Sequence, residues 1–446
     1  MLTPSPASDE AASQAAPPSA ATRPLTPLAS PKQVSALVAV LGALTAVAPL
    51  ATDMYVPGFP SMGAALHANS SAVQLTLTAF LAGLVVGQLL IGPMSDGWGR
   101  RRLLLSGVAG FILFSLLCAV APNVELLTAA RFLQGVAGAA GMVLARAVIT
   151  DCFRGADVPR YFALLSQIIG IAPIAAPVIG GAVLSFSTWR TVFLVLAVIG
   201  ALLLAAVLRK VPETLPPERR HSGGLAGSLR TMGTLLTHRA FMGYVLVLGF
   251  TSAALFAYIS GSSFVFENVH GVSATVYSLI FASNAVGMLI AGVTFARLSR
   301  RVRMNTLLIA GLTVSGTGAV ALLVVPALAG ETLAATWICL FVTMAGIGLV
   351  FPATMSIGQT LGRVAPGAAS ALLGGLQFLF GALAAPLVGV FGEDSSTPMA
   401  VIVLTALALA GLALILLARP WLSHGEVAAE PAESAESAES AAGERP

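Results

Sequence analysis

Residues 34–60 read VSALVAVLGALTAVAPLATDMYVPGFP. From Val34 to Thr52 there is no charged side chain, and then the run meets Asp53. About 20 apolar residues rising 1.5 Å each cross the hydrocarbon core of a bilayer as a helix. The stretch therefore predicts a membrane-crossing helix and raises the question of what a carboxylate does near its end.

Working outward, the same pattern recurs along nearly the whole chain. Of 446 residues, 57% are hydrophobic and 9% charged, against about a quarter charged in a soluble domain. Apolar stretches fall at about 34–58, 72–95, 103–121, 125–148, 160–184, 190–208, 240–262, 273–296, 304–326, 333–356, 367–391 and 397–418. The break at 391–397 is the shallowest. A spanning segment must satisfy its own backbone, and the short alternating strands of a barrel are not evident, so these are helices. The expected class is an all-α polytopic membrane protein with twelve transmembrane helices.

Cys118, Cys152 and Cys339 are scattered singly and the five histidines are dispersed, so neither a disulfide framework nor metal spacing is present in the sequence. Lys32 and Lys210 are the only lysines, which leaves no P-loop and argues against ATP hydrolysis by this chain. No cofactor and no metal are expected. A membrane-embedded enzyme or receptor would need clustered His, Asp or Cys at a membrane face, or a sizeable folded extramembrane domain, and the sequence offers neither.

The net charge of +4 does not point to nucleic acid, because its distribution follows the spans. With both ends on one side, all of the 23 basic residues except Arg131 and Arg190 fall on that side. Basic loops stay in the cytoplasm, so both termini are expected there. No basic n-region opens the chain, and no cleaved signal peptide is expected. The organisation read from composition is a disordered cytoplasmic tail at 1–33, a six-helix bundle at 34–208, a cytoplasmic linker at 209–239, a second six-helix bundle at 240–418 and a disordered tail at 419–446. A faint echo, "ALL" followed by "AAP" at 163–177 and again at 371–386, fits a parallel duplication of two bundles.

Three stretches carry more than composition. GPMSDGWGRRR at 92–102 places a carboxylate beside three arginines in a short loop between spans two and three. Charge-assisted pairs and a neighbouring helix N-terminus are its natural partners. In span four, RFLQGVAGAAG sets Arg131, Gln134, Gly135 and Gly138 on one helical face. In span five, GIAPIAAPVIGG combines Pro173 and Pro177 with Gly170, Gly180 and Gly181, a pattern that kinks a helix and admits a close neighbour.

With these in order, residues from about 34 to 420 resemble the major facilitator superfamily, and within it the drug:proton antiporters of the Bcr/CflA type, which include chloramphenicol and bicyclomycin exporters. Gly92, Asp96, Gly99, Arg100 and Arg101 match the family's loop signature, with Gly97 where a basic residue is usual. Arg131, Gln134 and Gly135 match the fourth-span signature. APVIGG matches the fifth-span antiporter word, with Ala176 where Gly is usual, and TDMYVPG looks like the Asp-x-Tyr-x-Pro word that ends the first span. The resemblance implies a latch in which Asp96 clamps against Arg100 or Arg101 and the start of the eleventh span near Gly367 to Ser370. The plainer reading of the same arginines is a positive-inside anchor. Pro173, Pro177, Gly180 and Gly181 read either as close helix packing or as a rocking hinge, and the two are compatible.

Counting acids returns the question to Asp53. Asp9, Glu10 and the glutamates from 426 onward lie in the tails; Asp96, Asp151, Asp157, Glu213 and Glu218 in cytoplasmic loops; Glu125, Glu267, Glu331, Glu393 and Asp394 at external ends. That leaves Asp53 alone inside a span. One reading is a carboxylate reaching the outer interface. The other is a group facing an inward groove, favoured because Pro49 frees the Thr45 carbonyl on the same helix face. Embedded acids usually face a bundle interior with a partner, and Arg131, near the outer end of span four, is the expected one. Arginine keeps its proton, so Asp53 is expected to bind the driving proton and Arg131 to set when it leaves.

Tyr55, Gln134, Phe256, Tyr258, Phe264, Asn284 and Gln377 lie in spans that the family fold sets around a central cavity, and are the candidate substrate contacts. A single embedded acid favours neutral or zwitterionic drugs. The function this implies is export of small amphipathic compounds in exchange for protons by a monomer in the inner membrane, surrounded by lipid and without a nucleic-acid partner. A proton-coupled uptake permease for a small metabolite is the alternative.

Overall fold

A computed structural model describes residues 31–153, 157–215, 225–299, 301–363, 365–392 and 395–422, and nearly all of both expected tails lies outside these residues. No strand occurs among the described residues. The first half comprises α1 (Pro31–Asp53), a 3-10 turn (Val56–Gly58), α2 (Phe59–Leu66), α3 (Ser70–Trp98), α4 (Arg100–Ala119), α5 (Val124–Cys152), α6 (Asp157–Leu184) and α7 (Trp189–Lys210). The second comprises α9 (Arg239–Phe264), α10 (Ala274–Leu298), α11 (Met304–Ala329), α12 (Leu333–Leu361), α13 (Pro366–Ala384), α14 (Leu387–Phe391) and α15 (Thr397–Ala413). Between them α8 (Leu225–Thr237) lies within the stretch expected to be linker.

Eleven helical segments among the described residues are long and apolar enough to cross a membrane. The 28-residue α6 is the remaining helix of spanning length. Their starts obey capping chemistry: Asn69 accepts from the Ala72 amide at 2.9 Å and Asn123 from the Leu126 amide at 2.9 Å. Lipid supplies no hydrophobic drive between helices, so small residues decide who packs on whom. A Cβ added at Gly135 of α5 would run into the Phe80 carbonyl of α3, and one at Gly83 of α3 into the Phe132 carbonyl of α5. The second half repeats the pairing, with Gly348 of α12 set against the Met288 backbone of α10.

Two spans expected to be single helices are broken. The first stops at Asp53 and resumes at Phe59, because Pro57, Gly58 and Pro60 cannot continue an α-helix without interruption. The eleventh stops at Ala384 and resumes after Pro386. There the Ser260 hydroxyl donates to the freed Ala385 carbonyl, the kind of neighbour that makes a break tolerable at membrane depth. The echo at 163–177 and 371–386 is thus structurally unequal, since Pro177 sits inside the continuous α6.

The halves meet along α3 with α13 and α14, α6 with α10, and the 3-10 turn and α2 with α9. At the end bearing the α3 N-terminus they are joined by hydrogen bonds. The Gln74 amide donates to the Ser260 carbonyl at 3.3 Å and accepts from the Gly389 amide at 2.8 Å. Nearby, the Phe59 and Phe264 rings touch, with centroids 6.0 Å apart.

Replacing Gly135 by Leu should destabilise the detergent-purified protein by about 1–3 kcal/mol or more, because the side chain meets backbone that cannot yield. Gly316→Leu, with open space around its Cβ position, should leave the melting temperature within error. Equal effects of the two changes would overturn this account of the packing.

Candidate functional site

Asp53 is the last residue of α1 and is 4% exposed. Its Oδ1 is buried with no hydrogen-bond partner. The carboxylate therefore does not reach an interface; it lies within the protein where α1 breaks. The break is wedged by the glycine pair of α6. A Cβ at Gly180 would strike the Met54 carbonyl, and one at Gly181 would strike the Ser278 hydroxyl of α10. Gly180 and Gly181 therefore press α6 against the first span on one side and against the second half on the other. Pro173 and Pro177 lie within the same helix.

Arg131 of α5 has zero exposure. Its guanidinium donates to the Ala51 carbonyl at 3.0 Å and to Gln134 Oε1 at 2.6 Å. It also lies over the Tyr55 and Phe80 rings, 4.2 Å from each centroid, and 5.6 Å from that of Phe193. No ion pair joins it to Asp53 within 4.0 Å among the described residues. The expected partnership is corrected in kind: Arg131 holds the end of α1 through backbone two residues before the carboxylate. A helix leaves its last carbonyls without helical partners, and Ala51 is among them. Sequence spacing fixes depth, which the two groups share, but not azimuth, which decides what a side chain faces.

Gln134 is likewise corrected. It has zero exposure, and both ends of its amide are engaged, Oε1 with Arg131 and Nε2 with the Ser115 hydroxyl at 2.7 Å. Ser115 in turn donates to the Phe111 carbonyl at 2.6 Å. In this structure Gln134 orients Arg131 and has no polar atom turned to a cavity. Tyr55 is also packed away, with its hydroxyl 3.3 Å from that of Thr76 and its ring against Arg131, Phe59 and Phe193. Ser115 and Thr76 were missed in the sequence because lone hydroxyls in spans carry no periodic signal.

Two tyrosines of the second half, Tyr258 and Tyr277, lie within electrostatic reach of Asp53. Tyr258 accepts from the Asn284 amide at 2.9 Å and stacks on Phe281 with centroids 5.2 Å apart. The Asn284 carbonyl oxygen is buried and unpartnered. Tyr258 and Asn284, two of the candidate substrate contacts, are thus joined to each other. Phe256 and Phe264 do not join them. Phe256 packs against Gly381 and Phe378 of α13, and Phe264 against Phe59. Gln377 is half-buried on α13 and makes no hydrogen bond among the described residues.

At the opposite, arginine-rich end, Gly99 has φ +94°, a conformation that only glycine adopts without strain, and it turns α3 into α4. The Ser95 hydroxyl donates to the Gly92 carbonyl at 2.7 Å and accepts from Arg100. Arg100 also pairs with Asp151, at the end of α5, at 3.2 Å. The Glu213 carboxylate receives the Arg100 and Arg101 amides at 2.9 and 3.3 Å, an acid at the N-terminus of α4. Arg101 donates to the Leu208 and Val211 carbonyls, both at 2.9 Å, at the end of α7. The partners of Arg100 and Arg101 described here therefore belong to α3, α5, α7 and the residues just after α7, not to the eleventh span. The side chain of Asp96 lies outside the described residues. Asp151, Glu213 and Thr214, whose hydroxyl donates to Asp151 at 2.9 Å, were not singled out in the sequence because they lie more than 50 residues from the loop they serve.

Residues 41–385 match the family described as Major Facilitator Superfamily. The chain is 40% identical over 384 residues to the uncharacterized MFS-type transporter YdgK of Bacillus subtilis (strain 168), covering 86% of this chain and 95% of that protein. It is 30% identical over 369 residues to the bicyclomycin resistance protein homolog of Haemophilus influenzae, covering 82% and 92%. The fold resembles a bacterial homolog of the human lysosomal transporter Spinster, solved in an inward-facing and occupied conformation, with TM-score 0.68, 15% identity and coverage of 86% and 96%.

Removing one partner of a buried cation leaves the other unsatisfied. Gln134→Ala should lower stability by about 1.5–3 kcal/mol and Ser115→Ala by about 1 kcal/mol, read from thermal unfolding in detergent. A neutral Gln134→Ala would mean that Arg131 is not held as described.

Proposed function

Because the chain belongs to the Major Facilitator Superfamily, a family of transporters and not of enzymes, we propose that it exports small amphipathic drugs in exchange for protons, with Asp53 as the proton carrier. The observation that carries this reading is the buried Asp53 carboxylate at a helix break, with one oxygen unpartnered. An ionised carboxylate with an oxygen lacking a donor is expensive away from water, and a proton lowers that expense. The charge state of Asp53 is thereby tied to whether its surroundings are wet or dry. The bicyclomycin resistance in the name of the Haemophilus relative supports drugs as the cargo.

Arg131 couples this event to shape. It keeps its own proton and grips the Ala51 carbonyl, so any rearrangement of the broken turn around Asp53 is felt by α5. The halves, 34–208 and 240–418, rock about the site. The end held by Gln74 is the external one and is shut; the arginine-rich end is cytoplasmic, as are both termini, and the host membrane is a bacterial inner membrane. Drugs enter from the cytoplasmic side against Tyr258 and Asn284. The unpaired Asn284 oxygen asks for a donor on the drug, and Phe281 supplies an apolar wall. Pro173, Pro177, Gly180 and Gly181 let α6 slide between the first span and α10. Gly92, Asp96, Gly99, Arg100 and Arg101 hold the cytoplasmic ends of the first half together as it moves.

In proteoliposomes with an imposed pH gradient, internal pH should change when a transported antibiotic such as chloramphenicol is added. Asp53→Asn should abolish that change, while Asp53→Glu retains part of it. Antibiotic-driven proton movement that is undiminished in Asp53→Asn would sink the reading.

A further inference from the structure

The sequence leaves one acid inside a span; the structure adds another. Glu267 lies on a π turn, Val265–Val269, which extends α9 within the apolar segment Arg239–Val269. Its Oε1 is buried with no hydrogen-bond partner. π turns concentrate at functional sites, and an embedded acid is expensive unless it has a task. Beside it the Phe266 and Tyr277 rings touch, with centroids 6.1 Å apart. Tyr277 has zero exposure and shares a 2.8 Å hydrogen bond with the Ser262 hydroxyl. It stands within electrostatic reach of Glu267, Tyr258 and Asp53 alike. The buried Tyr277 hydroxyl is therefore within electrostatic reach of one carboxylate on each half.

We propose that Glu267 is a second proton-binding carboxylate of the transport cycle, exchanging protons with Asp53 through the Tyr277 and Tyr258 hydroxyls while the halves are shut at this end. The inference rests on the reading of Asp53 as a proton carrier. In each exchange a proton leaves the Glu267 carboxyl for a hydroxyl oxygen, that hydroxyl passes its own proton on, and the Asp53 carboxylate takes the last one. Only O–H bonds change partners. Water spans the gaps that are longer than a hydrogen bond. Tyr277 from α10 stands within electrostatic reach of Glu267, Ser262 from α9 is bonded to Tyr277, and His270 follows just beyond the π turn. His270 shares a 3.1 Å bond with the Thr336 hydroxyl. Burial holds its ring below the usual histidine range, while the Glu331 charge pulls the other way. No arginine or lysine forms an ion pair with Glu267 among the described residues. Because the two acids sit on opposite halves, parting the halves separates them and ends their exchange.

The test needs no transported compound. Proton uptake by the full-length protein in detergent is counted between about pH 5 and about pH 9, where perturbed carboxylates titrate, for the wild type, E267Q, D53N, the double variant and Y277F. Each single carboxyl variant should bind about one proton fewer, and the midpoint of the remaining acid should shift in each. Y277F should keep both protons and weaken the mutual shift. Uptake in E267Q equal to wild type, or single variants whose losses add with no mutual shift, would overturn the proposal. If D53N alone is silent, the Asp53 reading fails instead. Thermal unfolding of E267Q, with E267D as the conservative rescue, separates a lost proton from a misfolded chain.

Discussion

A permanently charged guanidinium held at zero exposure needs partners wherever the chain puts it, and the Arg131 terminal nitrogens draw theirs from two elements while its Nε has none among the described residues. It cannot give up its proton. Among the described residues no carboxylate pairs with it, so it draws on a backbone carbonyl, a side-chain amide and two ring faces. Each demand constrains an element. The carbonyl comes from the last turn of α1, so that helix must end within reach of α5. The Phe80 face requires α3 to lie close, which Gly83 and Gly135 allow. The amide of Gln134 is fixed by Ser115 of α4.

The end of α1 is consequently the most constrained point in the first half. Arg131 grips it at Ala51, and Gly180 takes its Met54 carbonyl at a distance no other residue would permit. Asp53 sits in the chain between these two contacts, within electrostatic reach of two tyrosines of the second half. A broken helix is a weak joint with defined neighbours, and so the kind of element in which a change of charge can become a change of shape. The eleventh span is broken at a comparable place, and its Gly389 amide is caught by Gln74. Two broken helices thus meet at the shut end.

The arginine-rich end stands apart from this joint yet shares its helices. α5 carries Arg131 near one end and Asp151 near the other, 20 residues on and so about 30 Å away. α3 carries Gln74 near its start and Ser95 near its end. The Arg100–Asp151 pair and the Gln74 bridge are thus connected through the same long helices. Glu213 joins the start of α4 to the residues just after α7.

Read alone, the sequence determined the membrane class, because 57% hydrophobic residues in runs of bilayer length admit nothing else. It also marked Asp53 and Arg131, since a charge inside an apolar span stands out in one sequence, whereas Gly99 was marked only by the resemblance of its loop to the family signature. It did not determine who faces whom. Depth along a helix follows from counting residues at 1.5 Å each, whereas azimuth depends on which neighbours pack, and that is set by glycines whose partners lie far away in the chain. Only the tertiary structure therefore turned Arg131 from Asp53 to the Ala51 carbonyl, withdrew Gln134 and Tyr55 into the first half, and gave Arg100 its partner in Asp151. For the same reason Glu267, counted along the chain as the outer end of a span, was found with a carboxylate oxygen buried beside Tyr277.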